Sequence, residues 1–116
     1  MSRRSSAASA RLTDAAPVFA ALGDETRLRL VGRLCADGPL SIARLSDGAG
    51  VTRQAVTKHL EALGAAGLVR GSRAGRERIW ELDTRRLELA RRRLDQIADE
   101  WEAAIGRLRM MVEAGD

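Results

Sequence analysis

Aromatic residues are scarce in this chain of 116 residues: Phe19, Trp80 and Trp101 are the whole set, and tyrosine is absent. Stacking platforms for single-stranded nucleic acid draw on several aromatic faces, so that kind of binding has little to work with here. There is one cysteine, Cys35, and one histidine, His59. One chain with that set builds neither a disulfide framework nor a zinc cage. Catalysis is equally short of parts. No carboxylate–nucleophile constellation or glycine-rich phosphate loop stands out, so a non-enzyme with no metal and no cofactor is expected. No apolar run approaches the length of a membrane span, and the N-terminus lacks the apolar core of a signal peptide. A soluble cytoplasmic protein without a membrane partner is the expectation. Lysine is nearly missing too: Lys58 is the one lysine among 20 cations.

What is present is a globular composition, 45% hydrophobic and 31% charged, in a chain long enough for one modest core. The 20 cations outnumber the 16 acids, for a net charge of +4. That balance fits a polyanionic partner, though alone it indicates only nonspecific affinity. Residues 1–13 carry Ser, Ala and Arg with almost nothing to bury, and read as a disordered basic tail. Its Arg3, Arg4 and Arg11 could serve as a DNA-seeking arm; a solubilising terminus is the plainer reading.

The chain is organised around VTRQAVTKHLEALGAAGLV, residues 51–69. Thr52 is a good N-cap, and Ala55, Val56, Leu60 and Leu63 recur at helical spacing as one apolar stripe. Gly64 and Gly67 are placed to end the helix before Leu68 and Val69. The other face gathers Arg53, Gln54, Thr57, Lys58 and Glu61. The first four are side-chain types that bond base edges or phosphates. An ordinary solvated helix face would also be polar, so the surroundings decide.

Upstream, a first helix is expected from Asp14 or Ala15, with Pro17 in its opening turn and Gly23 at its end. Asp24 caps a second helix in which Leu28, Val31, Leu34 and Cys35 share a face, making Cys35 a small buried hydrophobe. A redox role for Cys35 would need an exposed, acidified thiol. After Gly38-Pro39, Ser41 caps a short third helix through Leu45. Gly48-Ala49-Gly50 then turns into the helix capped by Thr52. Two short helices joined by a glycine turn, the second bearing polar groups near its start, form a helix-turn-helix pattern.

Downstream, Leu68-Val69 and Ile79-Trp80 are strand-like and flank a hairpin tip over residues 71–76. Arg70, Arg73, Arg76 and Arg78 against Glu77 make this hairpin locally basic. Beside a helix-turn-helix it reads as a wing on the DNA; the alternative is a charged edge hairpin that discourages aggregation. From Thr84 to about Ala114 runs one long helix. Leu87, Leu94, Trp101 and Leu108 recur every seven residues, as do Ala90, Ile97, Ala104 and Met111, with Ile105 widening the stripe. Roughly thirty residues extend about 45 Å, more than the preceding globule can cover, so a second copy is expected to cover the rest.

With this order of elements, the stretches ALGDETRLRLVGRL, VTRQAVTKHLEALGAAGLV and GRERIWELD resemble the ArsR family of winged-helix repressors. The ending ADEWEAAIGRLRMM is similar to a subgroup without metal sites. The resemblance spans about residues 15–114. It implies a mainly α fold with a small β-hairpin wing: a winged helix-turn-helix over residues 14–83 and a C-terminal dimerisation helix over 84–116. Metal-sensing members carry a Cys-x-Cys pair where this chain has Ser41 and Ala43, and the family's other metal site uses histidines that the terminal helix lacks. Metal-independent binding follows.

The implied function is a homodimeric regulator, a repressor, occupying a palindromic double-stranded DNA operator. Base contacts fall to Arg53, Gln54, Thr57 and Lys58, with Thr52 at the helix start. Backbone contacts fall to Ser41, His59, Arg73, Arg76 and Arg78. The dimer interface comprises Phe19, Leu87, Leu94, Ile97, Trp101, Ile105, Leu108 and Met111. A small-molecule- or thiol-responsive regulator and a winged-helix protein-interaction module are the alternatives. The sequence does not name an effector.

Overall fold

Side-chain caps set where four of the helices begin, and a proline opens the other. The computed structural model describes residues 11–115. In chain order they form α1 (Ala16–Leu22), α2 (Glu25–Asp37), β1 (Leu40–Ser41), α3 (Ile42–Ser46), α4 (Arg53–Ala65), β2 (Val69–Ala74), β3 (Glu77–Leu82) and α5 (Thr84–Ala114). Asp24 Oδ1 accepts from the Arg27 N–H at 3.0 Å, Ser41 Oγ from Arg44 at 3.2 Å, and Thr52 Oγ1 from Ala55 at 3.1 Å. Each bond satisfies a donor that the first turn would otherwise leave unpaired. Pro17 sits in the first turn of α1, where its missing N–H costs nothing. Of the expected tail over residues 1–13, residues 1–10, Arg3 and Arg4 among them, lie outside the described residues, whereas residues 11–13 are helical and Leu12 is half-buried.

The core is built by Val18 and Ala21 of α1, Leu30, Val31 and Leu34 of α2, Leu45 of α3, and Val56, Leu60 and Leu63 of α4, closed by Leu68, Val69 and Trp80. The buried face of α2 differs from the expected one. Leu30 joins Val31 and Leu34, and this turns the face away from Leu28, which is 53% exposed. Cys35 is exposed as well, which overturns its assignment as a buried hydrophobe. The error was one of phase: a stripe drawn through Leu28 and Cys35 omits Leu30, whose burial fixes the rotation of the helix.

At the C-terminus of α4 the Gly67 N–H donates to the Gly64 carbonyl at 2.9 Å, and the Leu68 N–H to the Leu63 carbonyl at 3.0 Å. This crossed pair needs a left-handed residue, and Gly67 supplies it with φ of 78°. Gly64 has a different use from the one expected. It lies within the helix, and a Cβ there would stand 3.9 Å from Trp80 Cζ3. The hairpin strands run further than expected, Ala74 pairing with Glu77, so the tip is Gly75-Arg76 alone. β1 adds a third, antiparallel strand, Leu40 pairing with Trp80, in the order β1-β3-β2. Two residues are too few for alternation to reveal, which is why this strand was not foreseen.

Asp83 caps α5, accepting from the Arg85 N–H at 3.2 Å and from its Nε and Nη2 at 3.0 and 2.7 Å. The Arg85 guanidinium holds the Asp83 carboxyl far below the ordinary carboxylate range. Further along, Arg93 grips Asp14 through two bonds, Nε–Oδ1 at 2.9 Å and Nη2–Oδ2 at 2.7 Å, tying α5 to the entry of α1. Beyond that tie the helix leaves the globule. The molecule is 69 Å long with a radius of gyration of 19.3 Å, well above the roughly 13 Å of a compact domain of about 100 residues.

Candidate nucleic-acid interface

The candidate recognition face lies on the N-terminal half of α4. Burial of Val56, Leu60 and Leu63 against the core fixes the rotation of this helix. Arg53, Gln54 and Lys58 are thereby turned outward, with Thr57 half-exposed between them. With Glu61 they line one shallow, open depression. The Thr57 hydroxyl donates to the Arg53 carbonyl at 3.0 Å, leaving its oxygen lone pairs and methyl outward. Thr52 is exposed at the helix start, but its oxygen is already engaged as the cap. The N-terminal end of the helix adds the partial positive charge of its free N–H groups, which favours an anion.

Two of the residues expected as contacts are engaged within the fold. Ser41 is buried, pairs with Ile79 in the sheet, and spends its oxygen capping α3. His59 is half-buried: its Nδ1 accepts from Arg27 Nε at 3.1 Å, and Asp24 Oδ1 stands 3.9 Å away. This contact fastens α4 to the start of α2. Asp24 is held below the ordinary carboxylate range by the Arg27 backbone N–H and by the charges nearby. Arg27 went unnoticed in the sequence because its partner lies 32 residues away. Arg33 was missed for the same kind of reason. Its Nη1 donates to the Leu45 and Asp47 carbonyls at 3.1 and 3.3 Å and so steadies the turn that leads into α4.

In the wing, Arg73 and Arg78 are direct cross-strand partners, and Arg76 sits in the tip. Among the described residues, no acid lies within ion-pair distance of Arg53, Lys58, Arg73, Arg76 or Arg78. Arg70, by contrast, reaches Glu81 at 3.3 Å. Unpaired cations thus line α4 and the outer wing, although α5 carries others, Arg86, Arg92, Arg107 and Arg109 among them. Arg78 lies over the Trp80 ring, its Cζ 4.5 Å from the centroid. An Arg two residues before a Trp in a strand puts both on one face, a signal that the sequence held but that the aromatic count obscured.

The expected dimer residues divide in two. Phe19 and Leu87 are half-buried against the chain's own core. Leu94 (53%), Ile97 (46%), Trp101 (65%), Leu108 (61%) and Met111 (70%) are exposed, with Ile105 half-buried among them. Among the described residues no three or more His, Cys, Asp or Glu side chains stand close enough to hold a metal ion. No helix there is long and apolar enough to cross a membrane.

Known proteins share this arrangement. The family described as "Helix-turn-helix domain" matches residues 22–72, the span from the end of α1 into the wing. The HTH-type transcriptional regulator Rv2034 of Mycobacterium tuberculosis is 38% identical over 97 residues, covering 83% of this chain and 87% of that protein. Among solved structures, an ArsR-like transcriptional regulator from Rhodococcus sp. RHA1 superposes with a TM-score of 0.70. It is 36% identical, over 88% of this chain and 92% of that one. A homodimeric winged helix-turn-helix DNA-binding domain from Mycobacterium bovis gives a TM-score of 0.59 at 25% identity, over 86% and 89% of the two chains.

Proposed function

The chain belongs to the ArsR-like winged helix-turn-helix transcriptional regulators, and from that premise we propose that it is a homodimeric, metal-independent repressor of a palindromic operator. DNA binding rests on the family. The observation that carries the finer reading is the set of unpaired cations shared by α4 and the wing. Charges left without acids on the helix-turn-helix and on the hairpin that follows it fit a polyanion better than they fit stability.

In this reading Arg53, Gln54, Thr57 and Lys58 enter the major groove, where Arg and Gln make paired bonds to guanine and adenine edges. Arg73, Arg76 and Arg78 follow the backbone, which fixes register without reading sequence. Thr52, Ser41 and His59 serve by placing α4. The exposed stripe from Leu94 to Met111 meets its equivalent in a second copy, as the homodimeric relative supports. Two recognition helices so joined occupy successive major grooves, about 34–36 Å apart. Repression follows from occupying DNA that polymerase would use, which places the protein with the DNA in the cytoplasm.

The test is fluorescence anisotropy with DNA from upstream of its own gene and with a scrambled duplex, at two salt concentrations, with and without chelator. A preference for the upstream DNA that survives chelation is expected. Loss of binding on chelation would contradict the metal-independent reading. Equal, steeply salt-dependent binding to both duplexes would leave only a basic surface and remove the specificity assigned to α4.

A further inference from the structure

Trp80 combines three features that a plain core residue would not need. It is 3% exposed, and among the described residues its buried Nε1 has no hydrogen-bond partner. A buried unpaired donor is a cost that a phenylalanine, aromatic but smaller, would avoid. Its ring instead offers the strongest π-face among the side chains, and the Arg78 guanidinium occupies that face. Room for the stack comes from Gly71, directly opposite Trp80 across the hairpin. A Cβ at Gly71 would stand 3.0 Å from Arg78 Nε and 3.3 Å from Trp80 Cη2. The ring also packs toward Gly64 of α4. The seat of Arg78 is thus fixed relative to the recognition helix. Next to it stands Arg73, on the same face and directly opposed. Like charges in that position repel, and an anion between them removes the conflict.

We propose that Trp80, with Gly71, is a positioning residue for DNA contact: it holds the Arg78 guanidinium, beside Arg73, in place to receive one backbone phosphate. This rests on the DNA-binding reading and sharpens it by assigning a single phosphate to a built seat. The phosphodiester oxygens accept N–H bonds from both guanidinium groups, and the indole keeps Arg78 from sampling other rotamers before DNA arrives. Phosphate contact is independent of base sequence, so no operator is needed to test it.

The experiment measures the salt dependence of binding to a random-sequence duplex for wild type, Arg78→Ala, Gly71→Ala, Trp80→Phe, Trp80→Leu and the double variants Gly71→Ala/Arg78→Ala and Arg73→Ala/Arg78→Ala. Arg78→Ala is expected to lower the slope of log K against log salt by a part of the roughly 0.9 that one phosphate contributes, since Arg73 still faces that phosphate, and Arg73→Ala/Arg78→Ala by the whole of it. Gly71→Ala crowds the guanidinium off the ring and weakens binding about two- to fivefold, with no loss of thermal stability. Gly71→Ala/Arg78→Ala binds no worse than Arg78→Ala alone. Trp80→Phe retains most of the affinity that Trp80→Leu loses. If Trp80→Leu fails to fold, Gly71→Ala still decides the matter. In the free wild-type protein the Arg78 Nε–H resonance is shifted upfield by the ring, and Gly71→Ala abolishes that shift. Wild-type affinity and slope in Gly71→Ala, with Arg78→Ala impaired, would overturn the positioning role. Unchanged binding in Arg78→Ala would overturn the phosphate contact while leaving DNA binding through α4 intact. Failure of the wild type to bind any duplex, with the upfield shift still present, would sink the DNA-binding reading itself and the proposal with it.

Discussion

α4 and α5 are both amphipathic helices opened by a side-chain cap, yet they dispose of their apolar faces in opposite ways. Val56, Leu60 and Leu63 of α4 are entirely buried, while on α5 only Ala90 is buried and Leu94, Trp101 and Leu108 stand more than half exposed. Periodicity alone cannot separate the two cases, since a stripe says that a helix will bury a face but not against what. Length separates them. The 13 residues of α4 fit within the globule, whereas the 31 residues of α5 extend past it. The free surface is therefore polar on α4 and apolar on α5. In the proposed function the first meets DNA and the second meets another copy.

The sharpest way to break this comparison is one substitution made on both helices. Leu60→Ala should destabilise the folded chain by about 2–5 kcal/mol, because it opens a cavity where the side chain has no exposure. Leu108→Ala should leave urea unfolding of the monomer nearly unchanged. Comparable losses in dilute monomer would mean that α5 packs on its own globule. The next effect belongs to α5 alone. Trp101→Asp places a charge in the middle of the exposed stripe and should raise the dimer dissociation constant about 30-fold or more, roughly 2 kcal/mol, read by sedimentation equilibrium. An unchanged dimer would place the interface elsewhere.

On the polar side the effects are smaller and specific. Arg53→Ala should cost about 1–3 kcal/mol on the preferred operator and relax base preference, while nonspecific affinity falls much less. Equal losses on all sequences would move Arg53 to the backbone group. Thr52→Ala removes the N-cap of α4 without touching its outer face. About 1 kcal/mol of stability should go, with base preference unchanged in the folded fraction.

Local signals made much of this legible in advance. Asp24, Ser41 and Thr52 are small polar residues just before apolar periodicity, and each caps the helix expected of it. The outward set on α4 followed from its inward stripe. Contacts between distant segments were not legible. The tie of His59 to Arg27 spans 32 residues, so His59 looked like a surface contact. Ser41 carried two readings, cap and DNA contact, and its burial beside β3 favours the first. Cys35 was misplaced because the stripe of α2 was phased without Leu30. Trp80 was noticed only as a strand former, since the glycines that receive it come from α4 and β2.

The smallest effect concerns how α5 is fastened to the globule, and pH isolates it. Asp14 bonded to Arg93 and Asp83 bonded to Arg85 both sit below the ordinary carboxylate value of 3.8, in each case chiefly through the arginine side chain. A carboxylate depressed in the folded state binds its proton more readily when unfolded. Its contribution is therefore complete above pH 3.8 and disappears as the pH falls through the folded value. Stability should accordingly be flat near neutrality on account of these two groups and decline only below about pH 4. Asp14→Asn should lessen that acid decline, because the asparagine has no proton to gain. Asp14 and Arg93 are both accessible to water, so salt should weaken their pair at neutral pH. Hydrogen exchange along α5 gives the local readout. Losing the Arg93 tie should speed exchange around residue 93 and leave α4 untouched. If exchange in α4 rises equally, the two helices unfold as one unit and α5 is fastened by its apolar contacts at Leu87 and Ala90 instead.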